Sequence, residues 1–397
     1  MKQALQALIP LKHHLGKWVN MGIARNMKVL VEYINKDTKE KTDVSNFINP
    51  SLSSLTYTDN SKNAIDDLSI ELENFDKRWL SEWYPDENTK FKVSLIQTDD
   101  ELKDNAVRSL NIGSFYADQM DFSPDKLSLK LIAIPLSSNI RDQKNSKSWE
   151  KVTLEELVSK IANKHEMGFE KHVKGNIFFE RIDQVSETDL SFIQRICKEL
   201  SISVKVTDDK IVVFEDSEFF ENEAITLFEI SDYRMKDFSI SEKNQGVYDK
   251  VEISYYDPVA KKHIVETITK EELEKRSNPD TEKESTKSTK TSKSTKSTKK
   301  TTEKADSKKK TLKVNTKGKT DPKKTAEKTL KEKEKERTQC SLNVDGDVDY
   351  CAGMIIKLGA TWGRFSGKYS IDKVEHSLSS DYSCSLEVYK VGELDAK

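Results

Sequence analysis

The chain has 397 residues, of which 35% are hydrophobic and 34% are charged, and its formal net charge is −2. This length suits two or three domains whose cores need no metal or disulfide for stability. No apolar run approaches the roughly 18 residues that cross a bilayer, and polar residues interrupt the N-terminal segment, so we expect neither membrane insertion nor a cleaved secretion signal.

The charges are distributed unevenly along the chain. Residues 281–337 contain 21 Lys and Arg against 9 Asp and Glu, a local charge of +12, which leaves the rest of the chain at −14. An acidic body therefore encloses a basic insert, and this asymmetry bears on solubility and on the choice of partners.

The first predicted domain is built from strands. From Met27 onward apolar residues alternate with polar ones, the pattern of strands with one buried face. The alternation is clearest at 29–33, 68–72, 91–95 and 127–131. Turn residues such as Asn49-Pro50, Pro85-Asp86 and Ser123-Pro124 separate these segments. We therefore predict an N-terminal extension at 1–22 and a first β-barrel domain at 23–149.

A compact α/β unit follows, because the hydrophobic period changes to 3.6. Thr153 and Glu156 have the spacing of a capping box, which begins a short helix that ends near Lys164. A second helix is expected to open at Ser186 or Thr188 and to run to Leu200. Two short strands at 202–206 and 211–214 form a predicted hairpin. These elements define a middle domain at 150–222.

Strand patterns return at 237–240 and at 251–255, and then the composition changes abruptly. From residue 277 to about residue 320 the chain offers almost nothing to bury, which predicts a flexible linker rich in Lys, Ser and Thr. Residues 323–337 mix Lys and Glu with few apolar residues and predict a short solvated helix. The flexible linker and this helix together occupy 275–338.

The last sixty or so residues alternate again, with strands expected around 354–358, 369–371 and 384–388. Five glycines among them are predicted to supply positive-φ turns or bulges: Gly346, Gly353, Gly359, Gly363 and Gly367. Because the strands before and after the linker are each too few to close a core, we predict one second β-barrel domain built from 223–274 and 339–397. The fold class is thus mainly β with an α+β middle unit, two small β-barrel domains and a disordered insert.

Two segments resemble metal sites without meeting their requirements. His165-Glu166 looks like the start of a zinc-hydrolase helix, but the next histidine is His172 and the required spacing of four fails. The acidic residues of 343–349 alternate as in a calcium loop, yet the glycine comes too early and no Glu closes the coordination sphere. An Asp-Gly hairpin at Asp345-Gly346 is the alternative.

Signs of catalysis are equally weak. Residues 363–369 have one residue too few between their glycines for a phosphate loop, and a hairpin with a β-bulge is the alternative. His376 beside Ser377, and Cys197 on its helix, have no base at a fixed spacing. The four cysteines (Cys197, Cys340, Cys351 and Cys384) form no Cys-x-x-Cys pair and are expected to be buried free thiols. We predict no catalytic, cofactor-binding or metal-binding residue, no cofactor and no enzymatic activity.

The basic insert has two interpretations. It is a solvated spacer, or it is an electrostatic tether that binds nucleic acid or an anionic cell-wall polymer by releasing counterions. The absence of interleaved aromatic residues favours the spacer, because single-stranded nucleic acids are held largely by stacking.

With these elements in place, the sequence resembles the phage late-control gene D proteins, the baseplate hub proteins of contractile tails. The resemblance begins with Ala24-Arg25, the strand at 29–33, the segments 55–59 and 66–73 and Trp79, and continues through 113–115 and 148–150. Its most specific part is the segment 186–193, which follows Gln184 and runs from Ser186 to Ile193, and it ends with 352–354, 367–371 and 374–377. The basic insert is longer than the family pattern, and residues 1–20 precede its usual beginning.

The resemblance implies a function in assembly. It implies a homotrimeric ring whose two similar barrels per subunit match a hexameric tail tube, with the spike below and His376 as a strand position. Expected partners are the tail tube protein, the spike protein and other baseplate proteins, with the tape-measure protein as a further candidate. The expected location is the virion tail baseplate or a tailocin particle, assembled in the bacterial host cytoplasm, and an acidic lumen would suit the passage of DNA.

Two alternatives remain open. The same hub could serve in an R-type bacteriocin or a contractile injection system, which the sequence does not separate from an intact phage. A cell-wall hydrolase is an alternative of another class, although no hydrolase motif or extra domain remains once the hub is assigned.

Overall fold

The computed structural model describes residues 25–34, 41–81, 84, 89–99, 107–134, 139–200, 202–207, 209–216, 220, 222–243, 248–257, 262–272, 311–315 and 322–391. The predicted N-terminal extension, the Pro85-Asp86 turn and most of the predicted flexible linker lie outside these residues. None of the helices within them has the length and hydropathy needed to cross a lipid bilayer.

The first barrel is an antiparallel sheet around a large apolar core. Its elements are β1 (Arg25–Ile34), β2 (Lys41–Asp43), α1 (Ser45–Ser51), β3 (Leu52–Asn60), β4 (Asp67–Glu73), a 3-10 helix (Arg78–Leu80), β5 (Lys90–Asp99), β6 (Val107–Phe122) and β7 (Lys126–Ile132). The strands lie in the order β3-β4-β7-β6-β5-β1-β2. Leu68, Ile70 and Leu72 point into the core as the alternation predicts. The strands expected at 29–33, 68–72, 91–95 and 127–131 are confirmed.

The middle unit packs two helices against short sheets. Its elements are β8 (Lys144–Thr153), α2 (Leu154–Lys164), β9 (Gly168–His172), β10 (Phe178–Thr188), α3 (Asp189–Glu199), β11 (Ser203–Val206) and β12 (Lys210–Phe214). The capping box of Thr153 and Glu156 is confirmed, with both of its hydrogen bonds formed. Thr188 caps α3 by accepting from the Ser191 N–H, so of the two predicted caps Thr188 is the one used. The hairpin of β11 and β12 is also confirmed.

The remainder of the chain forms the second barrel and a small sheet beside it. In chain order the elements are β13 (Thr226–Phe228), β14 (Met235–Glu242), β15 (Lys250–Asp257), β16 (Lys262–Thr269), β17 (Thr311–Asn315), α4 (Pro322–Lys335), β18 (Thr338–Asp345), β19 (Ile355–Leu358), a 3-10 helix (Ala360–Phe365), β20 (Gly367–Leu378) and β21 (Tyr382–Lys390). β14 pairs with β18, so strands from both sides of the insert join in one sheet. The second barrel encloses its own core, which includes Leu342, Tyr369 and Leu386.

The strand at 251–255 does not enter this barrel, and the prediction that it would is wrong. β15 lies between β16 and β17 in a separate three-stranded sheet. Its buried side chains, Val251 and Ile253, pack with Ala326 and Leu330 of α4. Alternation shows that a strand buries one face, but it does not show which core receives that face.

The helix expected to be solvated is also different from the prediction. Ala326 and Leu330 are 0% and 1% exposed, because α4 lies on the sheet of β15 and β16. β17 supplies the partly buried Leu312 to the same cluster, although it lies in the segment predicted to have nothing to bury. Two apolar residues four positions apart are enough to dock one face of a short helix on a small sheet.

The two barrels have the same strand order. In each barrel we number six strands along the chain, which are β1, β3, β4, β5, β6 and β7 in the first barrel and β13, β14, β18, β19, β20 and β21 in the second. In space both sets follow the order second, third, sixth, fifth, fourth, first. The barrels differ at the first strand, because β1 is antiparallel to β5 whereas β13 is parallel to β19.

Irregularities in the sheets repeat this correspondence. The second strand is bulged against the third between Leu52 and Ser54 in the first barrel and between Met235 and Asp237 in the second. The fifth strand is bulged against the sixth between Ala117 and Gln119 and between Ile371 and Lys373. A bulge is a defined local feature of a sheet, so four bulges at two equivalent positions indicate two copies of one barrel design.

The glycines of the second barrel only partly follow the prediction. Gly353, Gly363 and Gly367 have positive φ, but Gly346 and Gly359 do not. At Gly346 the chain passes so close to the Tyr382 ring that a Cβ atom would overlap it, and at Gly359 a Cβ would overlap the Glu229 carboxylate. These two glycines are therefore required by close approach and not by backbone conformation.

Replacing Gly346 with alanine should consequently destabilise the second barrel by about 1 to 3 kcal/mol, the usual cost of overpacking. The shift of the urea unfolding midpoint measures this cost. In a double-mutant cycle, Gly346→Ala should cost much less in a Tyr382→Ala background, because the overlapping ring is gone. Equal costs in both backgrounds would contradict the steric explanation.

Candidate functional site

The two barrels are joined by a strand pairing that makes their sheets continuous. The last part of β20 pairs antiparallel with β3, from Lys373 opposite Asn60 to Leu378 opposite Leu55. The loop 346–354 crosses the same boundary and adds Val348 and Cys351 to the core of the first barrel. We call this pairing, together with the loop, the seam. It fixes the relative orientation of two alike units.

A buried lysine ties all three units together at the seam. Lys205, on β11 of the middle unit, donates to Asp59 Oδ1 at 2.7 Å and to the Asn60 carbonyl at 2.8 Å, and its Nζ lies 3.1 Å from Asp66 Oδ2. The other carboxylate oxygen of Asp59 accepts from the Ala352 N–H at 2.8 Å. An ammonium group has three hydrogens, and these three acceptors use all of them.

The charges in this cluster are perturbed by burial. Loss of solvent raises the pKa of Asp66 to about 6, against the opposing effect of Lys205. Burial alone would lower the pKa of Lys205, but Asp59 and Asp66 outweigh it and raise this pKa. The exposed fraction of the side chain is 13% for Lys205, 11% for Asp59 and 10% for Asp66, so the cluster is a largely buried structural joint.

A second ionic cluster ties α4 to the same region. Asp216 contacts Lys62 and Ser203 and lies 3.2 Å from the Nζ of Lys335. Burial alone would raise the pKa of Asp216, but Lys335 and Lys62 outweigh burial and lower this pKa to about 2. The end of the insert is therefore held against the first barrel and the middle unit by charge.

His376 lies on β20 at the centre of the seam and is completely buried. Its ring stacks on Tyr57 at 5.8 Å, its Nε2 lies 3.0 Å from the Tyr350 carbonyl, and its Nδ1 lies 2.8 Å from the Tyr382 hydroxyl. Since a carbonyl only accepts, Nε2 carries the proton and Nδ1 accepts from the Tyr382 hydroxyl. Burial lowers the pKa of His376 to about 4, so the ring is neutral near pH 7.

His376 also lies 3.2 Å from the Sγ of Cys384, a pairing that the sequence does not reveal because the two residues sit on neighbouring strands. A thiol beside an imidazole is the geometry of a nucleophile and its base. Both side chains are buried, however, at 0% and 1% exposure, so a substrate cannot reach them. The pair belongs to the packing of the seam.

The calcium-like loop is occupied by an arginine. Arg108 Nη1, from β6 of the first barrel, lies 2.8 Å from Asp347 and 2.9 Å from Asp349. The predicted Asp-Gly hairpin at Asp345-Gly346 is wrong, because β18 and β19 are not neighbours in the sheet. The loop instead carries two carboxylates across the seam to a guanidinium that can bind both.

The zinc-like histidine belongs to a different polar network. His165 ends α2, and its Nε2 lies 2.8 Å from Asp189 Oδ2. Burial alone would raise the pKa of Asp189, but hydrogen bonds from Gln184, Lys164 and His165 outweigh burial and lower this pKa to about 2. His172 lies on β9, 3.6 Å from Glu170. Within the described part of the chain, no three Asp, Glu, His or Cys side chains converge as a metal site would require.

The remaining motifs are structural as well. Residues 360–365 form a 3-10 helix between β19 and β20, which pair antiparallel, so the hairpin expected near Gly363 is confirmed. The pairing of β19 with β20 has an unbroken register, so the β-bulge expected with this hairpin is absent from it. All four cysteines are free and buried, as predicted. Burial raises the pKa of Cys197 to about 12, which leaves its thiol unreactive.

Sequence reasoning missed the residues that form the seam. In β11 the buried Val204 alternates with Ser203 and Lys205, so the alternation assigns Lys205 to a solvent-facing side. Its partners Asp59 and Asp66 lie about 140 residues earlier in the chain. No local pattern connects residues so far apart.

Comparison with known proteins supports the hub architecture. The family model described as "Phage tail baseplate hub (GPD)" matches residues 123–382, about two thirds of the chain. No curated protein matches the sequence.

Solved structures share the fold at low identity. A tail protein from Neisseria meningitidis MC58 has a TM-score of 0.59 and 11% identity, with 93% of this chain and 98% of that chain covered. The prophage MuSo2 43 kDa tail protein from Shewanella oneidensis has a TM-score of 0.60 and 8% identity, with 94% and 100% covered. An E. coli protein described as a component of the type VI secretion system has a TM-score of 0.52 and 11% identity, with 87% and 75% covered. At these identities the likeness concerns the fold.

Proposed function

Because this chain belongs to the phage tail baseplate hub (GPD) family, we propose that it forms the trimeric ring of a contractile-tail baseplate and joins a hexameric tail tube to the central spike. The observation that carries the proposal is the repeated strand order of the two barrels, including the coincident bulges. The family supports a hub in a tail baseplate, and the duplication supports the trimer.

The physical argument concerns symmetry. A protein that connects a sixfold tube to a threefold spike must present six similar edges on one face and three on the other. A trimer of a chain with two alike barrels does this with one gene product, because each barrel occupies one of six near-equivalent positions. The seam is essential to this arrangement, since it holds the two barrels of one subunit at a fixed angle.

The partners follow from the position in the tail. We propose that one face of the ring binds the tail tube protein and the other binds the spike protein, with further baseplate proteins at the rim and the tape-measure protein in the lumen. An acidic lumen, suggested by the charge of −14 outside the basic insert, would repel DNA that passes through it. Assembly would occur in the cytoplasm of the bacterial host.

There are two alternatives to this proposal. The same ring would serve an R-type bacteriocin or a contractile injection system, and the fold shared with the type VI secretion component keeps that alternative open. A cell-wall hydrolase is the alternative of another class, and a zymogram of the purified protein tests it directly. The Cys384 and His376 pair does not favour it, because both side chains are buried.

Light scattering coupled to gel filtration tests the proposal. The chain mass is 45.5 kDa, so the expected particle has three times this mass, and it should become heavier by the mass of the bound spike when spike protein is added. The trimer should then bind tube-protein rings in sedimentation experiments. A particle that stays monomeric in the presence of both partners would overturn the proposed ring.

A further inference from the structure

One edge of the continuous sheet ends at β14. This strand pairs with β18 on one side, and the structure describes no strand on its other side. Lys236, Asp237, Phe238 and Ser239 are exposed there, with Phe238 at 42%. A strand edge with open backbone groups and an exposed aromatic side chain is suited to pairing with another strand.

A second open edge lies on β6 of the first barrel. β6 is sixteen residues long, and β5 pairs with it only from Val107 to Tyr116. β7 pairs with the other side of β6 from Tyr116 to Phe122. Among the described residues, the segment 117–122 therefore has no strand on the β5 side. In the strand order β14 is the first strand, whereas β6 is followed by β5, β1 and β2, of which β5 pairs only with the earlier part of β6.

The bulges relate these two edges to the seam. Aligning the bulge of β14 with that of β3 makes Phe238 equivalent to Leu55. Aligning the bulge of β6 with that of β20 makes Met120 equivalent to Val374. β14 thus has the position in the second barrel that β3 has in the first, and β6 has the position of β20. Because β3 and β20 pair to form the seam, β14 and β6 are the same two edges without their partners.

We infer that β14 of one copy pairs antiparallel with residues 119–122 of β6 in the next copy, so that the seam within a subunit is repeated between subunits. The inference rests on the proposed ring and identifies its contact. A head-to-tail contact of this kind closes into a ring of three subunits when the contact and the seam each rotate one barrel onto the next by a sixth of a turn about the same axis, so that six barrels surround that axis.

The seam also gives the register. It places Tyr57 opposite His376 and Thr58 opposite Glu375. Transferred by the alignment, Ile240 lies opposite Phe122 of the next copy, and Ser241 lies opposite Asp121. Phe122 stacks on Tyr84 of its own copy, and both Ile240 and Phe122 remain half-buried, so their pairing would cover the rest of an apolar side chain on each copy.

The backbone geometry agrees with this register. The Lys243 N–H donates to the Arg337 carbonyl beside β18, so by strand alternation the N–H and C=O groups of residues 240 and 242 point outward. The Ser123 N–H donates to the Lys126 carbonyl beside β7, so the backbone N–H and C=O groups of residues 120 and 122 also point outward. In the proposed register residue 240 lies opposite 122 and residue 242 lies opposite 120, so the outward N–H and C=O groups of the two edges face one another.

Disulfide trapping tests the contact. Asp121 and Ser241 are exposed and form a non-hydrogen-bonded pair in the proposed register, the closer type of antiparallel pair. Under mild oxidation, the variant with Asp121→Cys and Ser241→Cys should form covalent trimers on non-reducing gels. The four native thiols are buried and should add little background. A 1:1 mixture of the two single variants should give disulfide-linked dimers and no larger crosslinked products.

The matched control combines Asp121→Cys with Ser239→Cys, which lies on the same face of β14 but two residues out of register. It should crosslink at least tenfold more slowly. Light scattering of the unmodified protein separates the two proposals. A trimer in which the register pair fails to crosslink would overturn this contact alone, whereas a monomer would overturn the ring as well.

Discussion

Replacement of Lys205 with methionine is expected to lower the free energy of unfolding by about 3 to 5 kcal/mol, because it leaves two buried carboxylates without their cation. Asp59 and Asp66 would keep only their backbone donors, the Ala352 N–H and the Asn60 N–H. Methionine has a similar length and no charge, so the loss reports the ion cluster more than the packing. Urea denaturation followed by tryptophan fluorescence measures the change.

Two controls accompany this measurement. Lys130→Met removes an exposed lysine from β7 and should change the free energy of unfolding by no more than about 0.5 kcal/mol. Adding Asp59→Asn and Asp66→Asn to Lys205→Met should recover part of the loss, since no uncompensated charge then remains. If Lys205→Met were as mild as Lys130→Met, the cluster would not be the joint between the three units.

The second large effect is a dependence of stability on pH that belongs to His376. Its folded pKa of about 4 lies below the unfolded value of about 6.5, so the unfolded chain binds an extra proton between these two values. The stabilisation from a neutral His376 is therefore complete above pH 6.5 and is lost as the pH falls towards 4. Over this window the stabilisation that His376 contributes should fall by about 3 kcal/mol. Asp66, whose pKa is raised to about 6, acts in the opposite direction, so comparison with a His376 variant is needed to isolate this loss.

His376→Gln removes the titrating group while keeping a polar side chain for the Tyr350 carbonyl and the Tyr382 hydroxyl. The variant should be less stable at pH 7, and its stability should fall less steeply between pH 6.5 and pH 4. His172→Gln is the control for the substitution itself, because His172 is half-buried on β9 and lies outside the seam. Parallel curves for the wild type and His376→Gln would show that another group governs the acid sensitivity.

Local patterns predicted the elements well, since they depend on residues close in the chain. The alternation of Leu68, Ile70 and Leu72 fixes a strand and its buried face, and Thr153 with Glu156 fixes the first turn of α2. The predicted fold class and the family resemblance are confirmed for the same reason. Apart from the assignment of 251–255 to the second barrel, which is wrong, the predicted domain boundaries and the absence of site residues stay predictions.

Partnerships between elements could not be predicted in the same way. β15 and β14 have similar alternation, yet β14 joins the second barrel and β15 joins a separate sheet with α4. The seam pairs His376 with Tyr57, residues more than 300 positions apart, and no spacing rule reaches so far. The sequence pattern does not predict the burial of Lys205 for a related reason: its surroundings are assembled from three segments that are distant in the chain.

The position of the insert has a consequence for how a ring would look from outside. It lies between β14 and β18, whereas the equivalent connection in the first barrel is the short turn 61–66, whose Asn63 N–H donates to the Val204 carbonyl of the middle unit. In a ring of six barrels, only the three second barrels would then carry the lysine-rich segment, at alternate positions. The otherwise sixfold rim would be marked three times, which gives binding partners a way to distinguish the two kinds of barrel by charge alone.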